Sequence, residues 1–330
     1  MTAKDFITTA FTGSPINPAP GDARRSTTKG NTMPKTTSVL IDGENILYHY
    51  LQKDLFESDI WLFQMLCARL VVGLGIWLHP DIYQRMPTLL PFAVRDPSCR
   101  KRKEGDVEAW GAPSEHGYLR DDNTLVKAIP KSMVVSSSSQ PLYDGKRVGN
   151  GFVAAHVWRQ TKGSEIGALL ASRDPWTNSF VPNLVWLPSD VAKLSDREGT
   201  FTQLYLQALS AKIYHNLEVY TEMRPFVDKI WNMLEVPTGI PKQGLPELEE
   251  LSFFRANDAF IRTRRQSVAD VVAAYKTVLS GEMLTSKVIT TRYGDGLPSV
   301  PKEQVSKRFA ELEAYLSAIP QVEQSAAADG

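Results

Sequence analysis

From Ile60 to Leu78 the chain is almost wholly apolar, interrupted only by Gln64 and Arg69. Such a run is buried either in a protein core or in a bilayer, whose hydrocarbon slab takes roughly 20 apolar residues of helix. Arg69 decides between the two. It falls at the centre, where a charge costs about 2.5–3.5 kcal/mol on insertion scales, and Gly73 and Gly75 weaken a spanning helix further. The run therefore predicts a buried core helix in a chain with no membrane partner. The remainder is able to wrap it: 42% hydrophobic and 22% charged residues are globular proportions, and 330 residues bury a real core in one large domain or two smaller ones.

Charge narrows the function. The 37 Lys+Arg against 37 Asp+Glu leave a formal net charge of zero, which excludes a protein that coats nucleic acid by bulk charge alone. It leaves room for a nuclease with a locally basic surface. Two cysteines, Cys67 and Cys99, supply neither a disulfide scaffold nor a four-thiolate zinc site, so no structural zinc is expected. They read as reduced thiols of a cytoplasmic protein. Residues 1–35 are polar, lack the apolar centre of a signal peptide and read as a disordered tail, with Met33 a second candidate start. Residues 321–330 read as a second tail.

Between the tails the pattern divides. Residues 36–148 read as a mixed α/β region, with a Pro-rich zone from Pro80 to Ser114 and a serine run at Ser136–Ser139 taken as a loop or hairpin tip. Asp144-Gly145 supplies the positive φ of a tight turn. Residues 201–320 read as helical: Phe201–Leu217, Thr221–Leu234, Leu245–Arg264, Ser267–Leu279 and Pro301–Ile319 carry apolar residues at helical spacing.

The segment 149–200 carries the chemistry. It reads as a strand (Phe152–Trp158), a long loop, a second strand (Asn183–Leu187) and a helix opened by Pro188-Ser189-Asp190. With His156 on the first strand and Asn183 entering the second, this order resembles the ββα-metal finger of the HNH endonucleases, and Asn183-Leu-Val-Trp-Leu resembles that family's second strand. The resemblance covers about 50 residues. It implies an α+β protein that cleaves DNA with a divalent ion, Mg²⁺ by the family's habit. In that reading His156 is the general base, as an imidazole with a pKa near 6.5 can be, and Asn183 pins the loop so that His156 faces the ion. A restriction or phage-defence role suits a finger set in such flanks, and a palindromic target would call for a homodimer.

The sequence departs from the family at two positions. Ala155 stands where a metal ligand usually precedes the histidine, and Ala192 stands about nine residues past Asn183, where the closing ligand usually falls. Asp190 is the substitute metal ligand, with Asp174 and Asn178 on the loop behind it. Arg159, Lys162, Arg173, Lys193 and Arg197 flank the finger, matched by five carboxylates. Residues 251–300 hold seven Lys/Arg against four Asp/Glu. There Arg262, Arg264 and Arg265 form a candidate phosphate-contact face, or a solvated helix end paired with Glu249, Glu250 or Asp258. Arg100–Lys103 is a further basic run.

Other readings stay open. His156 also suits a core position on an apolar strand, and Asn183 a turn after Pro182. Ala155 and Ala192 favour a non-catalytic DNA-binding or assembly protein with a decayed finger. Val39-Leu-Ile-Asp42-Gly-Glu-Asn45 resembles the opening strand of NYN/PIN-like ribonucleases, whose aspartate binds a metal. Glu104, Asp106, Glu108, Asp121 and Asp122 have no ligand spacing and read as surface charges, Asp121 or Asp122 capping the helix that follows. No dinucleotide, P-loop or nucleophile-elbow motif is present.

Overall fold

The computed structural model describes residues 57–321, apart from 101–110, 165, 168, 197–198 and 241–243. The tails, Asp42, Arg197, Arg100–Lys103 beyond its first residue, and the Glu104–Glu108 carboxylates all lie outside the described residues. The chain divides into two units, Met1–Leu66 and Cys67–Gly330. Of the first, only the opening turns of a helix are described; the second contains everything that follows.

That helix, α1 (Glu57–Leu74), occupies most of the apolar run. It stops at Gly75, where a Cβ would lie 3.1 Å from Val185 Cγ2 and 3.1 Å from the Val71 carbonyl. The chain then enters β1 (Ile76–Leu78), buried at all three positions. The expectation of one buried helix to Leu78 is thus corrected twice. The last three residues are strand, and burial is one-sided: Ala68, Val71 and Val72 are buried, whereas Trp61, Leu62, Phe63, Leu66 and Leu70 are exposed. No described helix is long and apolar enough to cross a membrane.

The protein is α+β. After β1 come α2 (Pro80–Arg85), β2 (Ala93–Arg95), β3 (Leu119–Asp121), α3 (Thr124–Ala128), β4 (Val135–Ser137), β5 (Phe152–His156), α4 (Pro175–Asn178), β6 (Leu184–Pro188), α5 (Ser189–Ala192), α6 (Phe201–Tyr214), α7 (Arg224–Met233), β7 (Ser252–Phe254), α8 (Asp258–Ser280), α9 (Thr291–Gly296) and α10 (Lys302–Ala318). The main sheet has the order β4-β7-β1-β6-β5, with β1 and β7 parallel and the other pairs antiparallel; β2 and β3 form a separate parallel pair. Trp186 and Phe254, from β6 and β7, meet edge to face at 5.4 Å between ring centroids on one side of the sheet. α8 and α10 pack against each other beyond it.

Two expectations fail here for one reason, the strength of cross-strand burial. Ser136 and Ser137 belong to β4, where Ser137 Oγ accepts from Ser252 Oγ at 2.8 Å. The predicted helix over Leu245–Arg264 contains β7 instead, because Ser252-Phe253-Phe254 fills the sheet beside β1. Asn257 then caps α8, accepting the Phe260 amide at 2.7 Å, and α8 absorbs the helix expected over Ser267–Leu279. Since β1, β5, β6 and β7 share one sheet, the mixed region, the finger segment and the helical region build it together. Other local readings match. Asp122 Oδ1 and Asp121 Oδ2 accept from the amides of Thr124 and Leu125 at 3.1 and 3.0 Å, capping α3. Gly145 turns at φ 72°.

Candidate site around His156

β5 and β6 form the antiparallel hairpin expected for the finger segment, with His156 opposite Leu184 and Phe152 opposite Pro188. The 27-residue connection is folded rather than open: it contains α4, whose N-cap is Asp174, accepting the Trp176 and Thr177 amides at 2.9 and 3.2 Å. Asp174 is buried, and that burial raises its pKa. Its Oδ1 serves the N-terminus of α4.

Asn183 is fully buried. Its Oδ1 accepts the Trp158 amide at 2.7 Å and its Nδ2 donates to the Thr177 carbonyl at 2.9 Å. Asn183 therefore ties the loop to the end of β5, with both ends of its amide used.

His156 is half-buried. Its Nε2 lies 2.9 Å from the carbonyl oxygen of Asn178. A carbonyl only accepts, so the proton sits on Nε2 and Nδ1 carries the lone pair. Burial, and secondarily the Arg95 guanidinium, push the imidazole down to about 4 against the pull of Asn178. The ring is neutral near pH 7, with one fixed tautomer.

Asn178 connects this ring to the second sheet. Its buried side chain donates from Nδ2 to the Ala93 carbonyl at 3.0 Å. Arg95, the last residue of β2, has a buried Nε that lacks a partner. Sequence reasoning passed over Arg95, because a lone Arg at the end of a three-residue strand carries no motif. Only the fold sets its strand beside Asn178.

The other site residues lie apart or on the surface. Asp190 is exposed and opens α5 just past Pro188, so it leaves the hairpin at the end opposite His156. Four residue steps separate those ends, about 13 Å of rise. The expected helix is short, α5 running on into a 3-10 turn at Lys193–Ser195, and Ala192 within it is buried. Arg159 and Lys193 are exposed, as is Arg262 on α8. Arg264 and Arg265 are half-buried, each with Nε buried and unpartnered, and burial lowers the Arg264 pKa. None of these three α8 arginines pairs with a described carboxylate; Asp258 instead binds Arg85 at 2.6 Å.

The resemblance implies Mg²⁺, a hard ion that takes oxygen ligands. What the described residues place at His156 is an amide and a guanidinium, which is not such a ligand set. Among the described residues no group of three or more His, Cys, Asp or Glu stands where it could hold a metal. No known family model, curated protein or solved structure matches the chain.

Proposed function

We propose that the protein hydrolyses phosphodiester bonds of DNA on a ββα-finger-like hairpin, with His156 as general base. The observation that carries this reading is the hydrogen bond from His156 Nε2 to the Asn178 carbonyl, which fixes the tautomer and leaves Nδ1 to take a proton. Nδ1 removes a proton from a water whose oxygen attacks phosphorus; the bond to the leaving sugar oxygen breaks, and that oxygen takes a proton from solvent. Asn183 supports the base indirectly, by tying its loop to β5. Arg262, Arg264 and Arg265 on α8, with Arg159 and Lys193, supply DNA-backbone contacts. The free thiols of Cys67 and Cys99 suit action in the cytoplasm. A restriction role would show as a difference between modified and unmodified DNA, and a palindromic target as a homodimer on it.

The test is cleavage of plasmid DNA by parent and His156→Ala, each with Mg²⁺, with Mn²⁺ and with chelator. Loss of cutting in the variant is expected, and equal cutting would remove His156 from the mechanism. A non-catalytic DNA-binding or assembly role is the second reading. It is favoured by the low basicity of His156 and by Ala155 beside it. Binding of DNA without cleavage under every condition selects it.

A further inference from the structure

We propose that a cleft over β1 and β7 binds a free α-amino acid with an apolar side chain. Its carboxylate goes to Arg255, its ammonium to Asp81 and Glu249, and its side chain onto Phe253. This site stands apart from the nuclease reading: β5, which carries His156, forms the far edge of the sheet.

The cleft measures about 460 Å³, within the range of small-ligand sites. Its place follows from the topology. β1 and β7 are the parallel pair of the main sheet, and Leu78 stands opposite Phe254. That register sets the next residues, His79 and Arg255, side by side where the two strands end. Open α/β sheets take ligands at the carboxyl ends of parallel strands, in the crevice left as the chain turns away. Strand alternation puts Leu251, Phe253 and Arg255 on one face, so an apolar floor leads directly to a cation. Leu248 lines the cleft from the turn at 248–250, which Ser139 holds by donating its hydroxyl to the Glu250 carbonyl at 2.7 Å.

The walls carry charges of both signs that do not pair with each other. Arg255 gives one guanidinium nitrogen to Asp144, outside the cleft, in a long and half-exposed pair at 3.4 Å. Among the described residues its other N–H groups have no acceptor, although Asp81 and Glu249 line the same cleft. The Asp81 carboxylate lies 3.4 Å from His79 Nδ1 and meets no described Lys or Arg. His79 Nδ1 accepts the Asp81 amide at 3.3 Å, which leaves Nε2 as a donor, and the ring stands edge-on to Phe253 at 5.8 Å between centroids. A simple anion would meet Arg255 but also two carboxylates, and a simple amine would meet the reverse. A zwitterion satisfies both signs through charge-assisted hydrogen bonds, and the guanidinium fork suits a carboxylate. An apolar side chain on it covers Phe253 and Leu251.

Free leucine and free phenylalanine are the probes, titrated into the full chain while backbone amide signals are followed by NMR. Saturable shifts are expected at the amides of Phe253 and Arg255. Isocaproate lacks the ammonium of leucine, leucine amide lacks its carboxylate, and glycine lacks the side chain; each should bind at least tenfold more weakly than leucine. Arg255→Gln should bring leucine down to the affinity of leucine amide. Asp81→Asn made together with Glu249→Gln should bring it down to that of isocaproate. All three positions are exposed, and circular dichroism confirms that the variants fold. No saturable shift with either amino acid, or shifts only at residues away from β1 and β7, overturns the site. Isocaproate binding as well as leucine overturns the role of the two carboxylates, and leucine amide binding as well overturns that of Arg255. Unchanged affinity in the matching variant does the same.

Discussion

The side-chain oxygen of Asn183 accepts the backbone amide of Trp158 at 2.7 Å across the mouth of the β5–β6 connection. The same side chain donates to the Thr177 carbonyl, which also takes the Phe180 amide at 3.4 Å, so the Trp158 amide is the buried group that depends on Asn183. Asn183→Ala removes both bonds at once. An orphaned buried amide costs about 1–3 kcal/mol, which is the loss expected in urea unfolding. Asn183→Asp should also destabilise, since a carboxylate cannot donate to the Thr177 carbonyl. A loss below 1 kcal/mol for the alanine variant would show that the loop is held by other means.

The sheet makes a second prediction. Phe254 is fully buried in β7, edge-on to Trp186 of β6. Truncating a buried phenylalanine costs about 3–5 kcal/mol, so Phe254→Ala should lower the unfolding midpoint sharply. A loss no larger than that of a surface substitution would show that Phe254 does not fill the sheet beside β1.

These two residues mark where the sequence was legible. The hairpin, its histidine and its asparagine lie within one continuous stretch, Phe152–Pro188, and local signals of strand, turn and cap suffice to place them. β7 was illegible because its three residues show no alternation of their own; they are strand because β1, some 175 positions earlier, offers a buried edge. Arg95 was illegible for the same reason, since only tertiary structure sets β2 beside Asn178. Half of α1 misled in the opposite sense: a continuous apolar run suggests burial all round, while Leu62, Leu66 and Leu70 share an exposed side.

Asp190 is the sharpest separation between the family resemblance and the fold. It is exposed and begins α5 at the end of the hairpin away from His156. Asp190→Asn should leave stability within about 0.5 kcal/mol, as surface substitutions do, and DNA cleavage within twofold of the parent. A tenfold or larger loss of Mg²⁺-dependent cutting would restore it as a metal ligand.

Acid should expose the cost of His156. Burial, and then Arg95, push its pKa down to about 4, against 6.5 for an ordinary imidazole. The unfolded chain therefore takes up this proton near pH 6.5, whereas the folded chain resists until about pH 4. Stability from this group is full above 6.5, falls as the pH drops through that window, and is constant again below it. The whole interval is worth about 3 kcal/mol. His156→Gln keeps an N–H for the Asn178 carbonyl and has nothing to titrate. In paired urea unfolding at pH 7.5 and 4.5, the parent's advantage over His156→Gln should shrink by about 2 kcal/mol or more at the lower pH. If the difference stays constant, the imidazole is not held neutral by its surroundings, and the fixed tautomer on which its role as a base depends loses its support.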